Sequence, residues 1–119
     1  MELNGKCRSL RVFMDEKHQW QGHVLYHAIV ERLLKEGLAG ATVLRGIEGY
    51  GSSAHIKSAK WIDASASLPV VVEVVDRPEK IDAVLVWLSG MLPQHCLVTV
   101  TDTEVHHYFA PSGKHASKR

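Results

Sequence analysis

Three glycines, Gly46, Gly49 and Gly51, follow Arg45 in close succession and lead straight into Ser52 and Ser53. Glycines leave backbone amides unobstructed, so consecutive N–H groups can converge on a phosphate or another anion. The two serine hydroxyls would add neutral donors, and Arg45 would add charge. The same residues also serve a plain turn, which needs no ligand at all. Tyr50, set between two of the glycines, has the shape to stack on a base or to anchor the loop.

The other polar clusters carry less chemistry. His23, His27 and Glu31 recur at four-residue spacing, as metal ligands on one helix face would. Lys35 continues the same line, and no neighbouring cysteine or carboxylate cluster completes a first coordination shell, so the stripe reads as a solvated face and no metal site is assigned. His106 and His107 would point to opposite faces of a strand, so at most one could join any given site. The chain has no Gly-x-Ser-x-Gly elbow and no grouping of cysteine, histidine and acid that a fold would bring together. No catalytic residue is assigned.

Elements must hold these residues in place. Leu10, Val12 and Met14 alternate with Ser9 and Arg11, giving a half-buried strand over Cys7 to Met14. Gly22 to Glu36 reads as an amphipathic helix with Leu25, Ala28, Ile29 and Leu33 facing inward, and Gly37 ends it. Ala41 to Ile47 forms a second strand that runs into the glycines, and a loop continues to about Leu68. The run from Leu68 to Val75 is almost unbroken valine, the signature of a strand buried on both faces. Asp76 and Glu79 resemble a capping box with Pro78 in the first turn, and Ile81, Val84, Leu85, Leu88 and Met91 follow at helical spacing. Cys96 to Val100 is a fourth strand, and Glu104 to Tyr108 adds a short fifth.

The order βαββαβ predicts an α+β, ferredoxin-like sandwich: a four-stranded antiparallel sheet with two helices on one face. The helices cover Val70, Val72 and Val74, leaving Val71 and Val75 on a bare face that self-association would bury. Arg11 and Glu73, read as lying on neighbouring parallel strands, would pair within that bare face.

A length of 119 residues, with 45% hydrophobic and 23% charged residues, suits one globular domain over residues 1–108 and a polar, disordered tail over 109–119. A formal net charge of +1 argues against nucleic acid as partner. No apolar run has the length of a signal peptide or a membrane span, and two cysteines make no disulfide framework, so a cytoplasmic protein without membrane insertion is expected.

The stretch Gly40-Ala-Thr-Val-Leu-Arg-Gly-Ile-Glu-Gly-Tyr-Gly, the valine-rich strand and Ala28-Ile29-Val30-Glu31-Arg32 together resemble the PII-like proteins, in their uncharacterised bacterial and archaeal branch. The likeness spans about residues 7 to 108. Nitrogen-regulatory PII proteins carry a similar Gly-x-Thr-Val strand leading to Gly-aromatic-Gly, matched by Gly40, Thr42 and Val43 and then by Gly49, Tyr50 and Gly51 at a spacing one residue longer. The resemblance implies a homotrimer, ligand clefts between subunits, and a mobile loop through which ligand alters the engagement of a partner such as a transporter or enzyme. Two features depart from that pattern. Ser52 and Ser53 stand where the nitrogen regulators have Arg-Gln, and Met91 to Cys96 lacks their second phosphate loop.

The expected function is therefore a non-enzymatic regulator with no cofactor. Its anionic ligand, AMP or ADP in preference to ATP, would lie against Thr42, Val43, Arg45, Gly49, Tyr50, Gly51, Ser52 and Ser53. The alternatives are a divalent-metal-handling trimer, like the cation-tolerance proteins of the same fold, and a scaffold without ligand.

Overall fold

A computed structural model describes residues 2–61 and 67–110. In chain order the elements are β1 (Glu2–Asp15), β2 (Gln19–Trp20), β3 (His23–Val24), α1 (Leu25–Lys35), β4 (Thr42–Arg45), β5 (Glu48–Gly49), β6 (Lys57–Ser58), β7 (Pro69–Asp76), α2 (Pro78–Leu88) and β8 (Leu97–Phe109). The four long strands form one sheet in the order β4-β7-β1-β8, with every pairing antiparallel. This is the expected ferredoxin-like arrangement, the two crossovers carrying the helices.

Strand alternation decides what the helices cover. Leu10, Val12 and Met14 of β1 and Val70, Val72 and Val74 of β7 are at most 6% exposed, and they pack on Leu25, Ile29 and Leu33 of α1 and Ile81, Val84 and Leu88 of α2. Each such aliphatic side chain contributes roughly 1.5–3 kcal/mol on leaving water. Outside this core, Arg32 of α1 stacks over the half-buried Trp87 of α2, 4.7 Å from the ring centre.

The opposite sheet face stays open. Register places Phe13, Val71, Leu44 and Leu97 on it, with Leu44 and Leu97 more than half exposed. Arg11 and Glu73 do pair there, Nε donating to Oε2 at 2.7 Å, and Ser9 adds a hydroxyl at 3.4 Å. Their strands run antiparallel, not parallel: the two residues are direct cross-strand partners.

Other boundaries differ from the sequence expectation for local reasons. Gln21 (φ 50°) and Gly22 (φ 81°) form a tight turn between β2 and β3, so the chain makes a hairpin before α1 starts at Leu25. His23 consequently lies in β3, off the helix that carries His27 and Glu31. Asp76 does not cap α2. Its buried carboxylate accepts the backbone N–H groups of Arg77 (2.7 Å) and Ala39 (2.8 Å), tying the end of β7 to the chain leaving α1. The expected fourth and fifth strands are one continuous strand, β8, pairing with β1 along almost its whole length. β8 runs on to Phe109, and the expected tail lies, from residue 111 onward, outside the described residues. Cys7 faces Thr103 at the middle of the β1–β8 pair, whereas Cys96 precedes Leu97, which faces Phe13 at one end, so the two free thiols are held well apart along the ladder and not, as expected, at its opposite ends.

Two positions on α2 separate packing from helix propensity. Ile81 is fully buried and Val86 is 79% exposed. Urea denaturation at one fixed protein concentration is expected to show a loss of roughly 2–5 kcal/mol for Ile81→Ala and under about 0.5 kcal/mol for Val86→Ala.

Candidate ligand cleft

The segment between β4 and β7 leaves the sheet at Arg45 and re-enters it at Pro69, whose ring decides how the segment starts. A Cβ on Gly46 would meet Pro69 Cγ at 3.0 Å, and one on Gly49 would meet it at 3.3 Å. Gly46 also donates its N–H to the Pro69 carbonyl at 2.7 Å. These two glycines therefore serve close packing. Gly51 is different: a Cβ there meets nothing within 4 Å.

From Gly46 the chain forms a small hairpin in which Glu48 pairs with Ser58 and Gly49 with Lys57. Ala59 N–H donates to the Ile47 carbonyl at 2.8 Å, and a turn from Gly51 to Ala54 (2.9 Å) shapes the tip. Ile47, Tyr50 and Ile56 are exposed on it.

Beneath this hairpin, where β1 ends and β7 and β8 begin, lies a cleft of about 300 Å³. Phe13, Pro69 and Leu97 line its sheet side, and Gly49, Tyr50, Gly51, Ser52 and Ser53 line its hairpin side. Asp15, His18, Lys57 and His95 supply its titratable groups.

Two adjacent acids anchor the cleft. Alternation sends them apart. Glu16 accepts a two-pronged contact from Arg45 (2.7 and 2.9 Å) and the Leu68 backbone N–H (3.0 Å). The Arg45 hydrogen bond holds the Glu16 carboxyl below its usual value against the opposing effect of burial. Asp15 accepts from Lys57 Nζ and from Ser67 Oγ (2.7 Å). Burial alone would raise the Asp15 carboxyl, but the hydrogen bonds from Lys57, Ser67 and the Lys17 backbone overcome it and bring the value to about 2.

The histidines join the two walls. His18 Nδ1 accepts the Asp15 backbone N–H at 3.3 Å, and its Nε2 lies 3.1 Å from Nε2 of His95. Burial, and then the neighbouring His95, lower the His18 imidazole against the pull of Asp15. Cys96 Sγ sits 3.9 Å from His18 Nδ1, and burial raises its thiol.

The cleft thus gathers Gly49 to Ser53 from the expected set and leaves three members outside. Thr42 is exposed opposite Glu73, Val43 packs against the core, and Arg45 is engaged by Glu16. Asp15, Lys57, His18 and His95 were not foreseen. The adjacent acids closing a strand were the one local signal available for Asp15, while His18 and His95 are separated by 77 positions and meet only through the sheet. Among the described residues no group of three or more His, Cys, Asp or Glu side chains could hold a metal ion, and no helix is long and apolar enough to cross a membrane.

Comparison with known proteins bears on the fold and the family. The profile of the family DUF190, described as Uncharacterized ACR, matches residues 7–105. A UPF0166 protein of Aquifex aeolicus is 40% identical over 100 residues, covering 84% of this chain and 93% of that protein. A UPF0166 protein of Methanocaldococcus jannaschii is 34% identical over 104 residues, covering 85% and 93%. Among solved structures, CPII from Thiomonas intermedia K12, a nitrogen regulatory PII-like protein bound to ADP, AMP and bicarbonate, superposes with a TM-score of 0.59 at 14% identity, covering 84% of this chain and 88% of that one. The apo form of CPII gives 0.57, covering 88% and 97%. The fold is PII-like.

The Asp15–Lys57 contact has a measurable acid signature. A carboxyl lowered by folding stabilises fully above its unfolded value of about 3.9, and the contribution disappears as pH falls through the folded value. For Asp15 that loss runs from about pH 4 down to its folded value of about 2. Asp15→Asn is expected to cost roughly 1–2 kcal/mol at pH 7 and to lose less stability than the native protein between about pH 4 and 2, as read by denaturation at each pH.

Proposed function

Because the chain belongs to the DUF190 family and folds like PII proteins, we propose that it is a ligand-responsive regulator, not an enzyme, which takes the anionic end of AMP or ADP in the cleft beneath the β5–β6 hairpin. The observation that carries this reading is the placement of Gly49 to Ser53 and Lys57 around one cleft. There the open backbone at Gly51, two serine hydroxyls and an ammonium face the same space. Lys57 already binds a carboxylate, so an incoming phosphate would compete with Asp15 for it. That exchange gives ligand a direct mechanical link to the hairpin and to its exposed Ile47, Tyr50 and Ile56, the surface a partner protein would read.

A cleft of about 300 Å³ lies at the lower limit for small-molecule sites. It accommodates the phosphate end of a nucleotide better than the whole. The apolar sheet face begins at its rim with Phe13 and Leu97, so a second copy packed on that face would complete the site and bury the face together. A homotrimer is the proposed assembly, in keeping with the family resemblance. CPII, bound to ADP and AMP, supports the choice of adenine nucleotides.

Three measurements test the reading. Light scattering at micromolar concentration is expected to give a trimer mass, and a stable monomer would sink the assembly. A thermal-shift panel is expected to show stabilisation by AMP or ADP, since a ligand binding only the folded state raises its stability. Stabilisation by divalent ions alone would favour metal handling, and no response to any ligand at millimolar concentration would favour a scaffold. Calorimetry is expected to show at least about tenfold weaker nucleotide binding for Gly51→Val, with an unchanged melting temperature because that position opens into free space.

A further inference from the structure

His18 and His95 close a short chain of hydrogen bonds across the cleft wall. Glu16 donates its N–H to Leu68 on the β7 side, so the Asp15 N–H, one residue earlier, faces the β8 side. β8 starts only at Leu97, opposite Phe13, and gives Asp15 no strand partner. His18 Nδ1 supplies the missing acceptor at 3.3 Å. Accepting there, a neutral His18 keeps its proton on Nε2, which points at Nε2 of His95 at 3.1 Å with the ring centres 4.8 Å apart. His95 belongs to the turn closed by the Cys96 N–H and the Pro93 carbonyl at 3.2 Å, the lead-in to β8.

We infer that this pair is a proton-operated clasp, joining the turn after β1 to the lead-in of β8 only while both imidazoles are neutral. A proton on His95 Nε2 would set two N–H groups against each other. A proton on His18 Nδ1 would face the Asp15 N–H. Either one undoes a link in the chain, and acid therefore frees the Pro93–Cys96 turn and loosens that side of the cleft. The charged groups facing His18 are Asp15 and Lys57, with the Cys96 thiol at 3.9 Å and His95 opposite. Asp15, with its carboxyl at about 2, stays ionised throughout the histidine range and is already neutralised locally by Lys57, so it does not trigger the change. The clasp stands whether or not the cleft takes a nucleotide.

Nitrogen-resolved NMR of the histidine side chains in the whole protein tests this directly. At pH 8, His18 is expected in the Nε2–H form. In His95→Gln, whose side-chain oxygen accepts from His18 in either state, His18 is expected to take up its proton at higher pH. At pH 8, His95→Ala is expected to speed alkylation of Cys96 at least threefold, while the buried Cys7 remains an unchanged internal control. A His18 proton on Nδ1, a His18 titration indifferent to His95→Gln, or equal Cys96 labelling in the two proteins would overturn the clasp. So would one equivalent of added Zn²⁺ shifting both rings together, which would make the pair a metal seat instead.

Discussion

The two acids at the end of β1 govern the geometry of the whole functional end of this molecule. A strand sends successive side chains to opposite sides, so Asp15 and Glu16 reach different partners from one point of the central sheet. Glu16 holds Arg45, where the chain leaves the sheet, and Leu68, just before it returns. Asp15 holds Lys57 inside the excursion and Ser67 at its end. An excursion of this length has a large conformational entropy to lose, and restraining both its ends and its hairpin on adjacent residues reduces what remains free. The cleft is the space left between those anchors. It also follows that a ligand acting on Lys57 acts on the same fastening that shapes the hairpin.

Much of this architecture was legible where burial imposes a pattern. The valines of β7 alternate between a buried and a half-buried face, and the inward residues of both helices fall at helical spacing, because the core requires it. Legibility fell where no such pressure acts. β8 is an edge strand with most of its residues exposed, so its alternation is weak and it read as two short strands. The hairpin before α1 depends on Gln21 in a left-handed conformation, which its residue type does not announce. Asp76 has the type and spacing of a cap, yet the approach of Ala39 gives it a tertiary role that spacing alone cannot reveal.

The site divides along the same line. Gly49 to Ser53 stood out because glycine speaks about the local backbone, although two of the three glycines answer to the Pro69 ring before any ligand. Arg45 stood out because it is charged, but the sequence could not show that Glu16 already engages it. Histidines 77 positions apart become neighbours only when β1 and β8 align, a relation that no window along the chain contains. Residue type thus located the loop, and the sheet selected what faces it.

The unequal pairing of β1 has a consequence in time. Residues 8–15 pair with β7, whereas residues 2–7 have only β8 beside them. During synthesis the first half of the central strand must wait until residues 103–109 emerge, long after both helices and β7 are available to condense. Contacts between such distant segments are slow to form. The core can assemble first, leaving a loose N-terminal segment as the last piece to be zipped in. The same late step brings Tyr108 to the Ala39 carbonyl at 2.7 Å and aligns His95 with His18, so the wall of the cleft is completed only when the last strand docks.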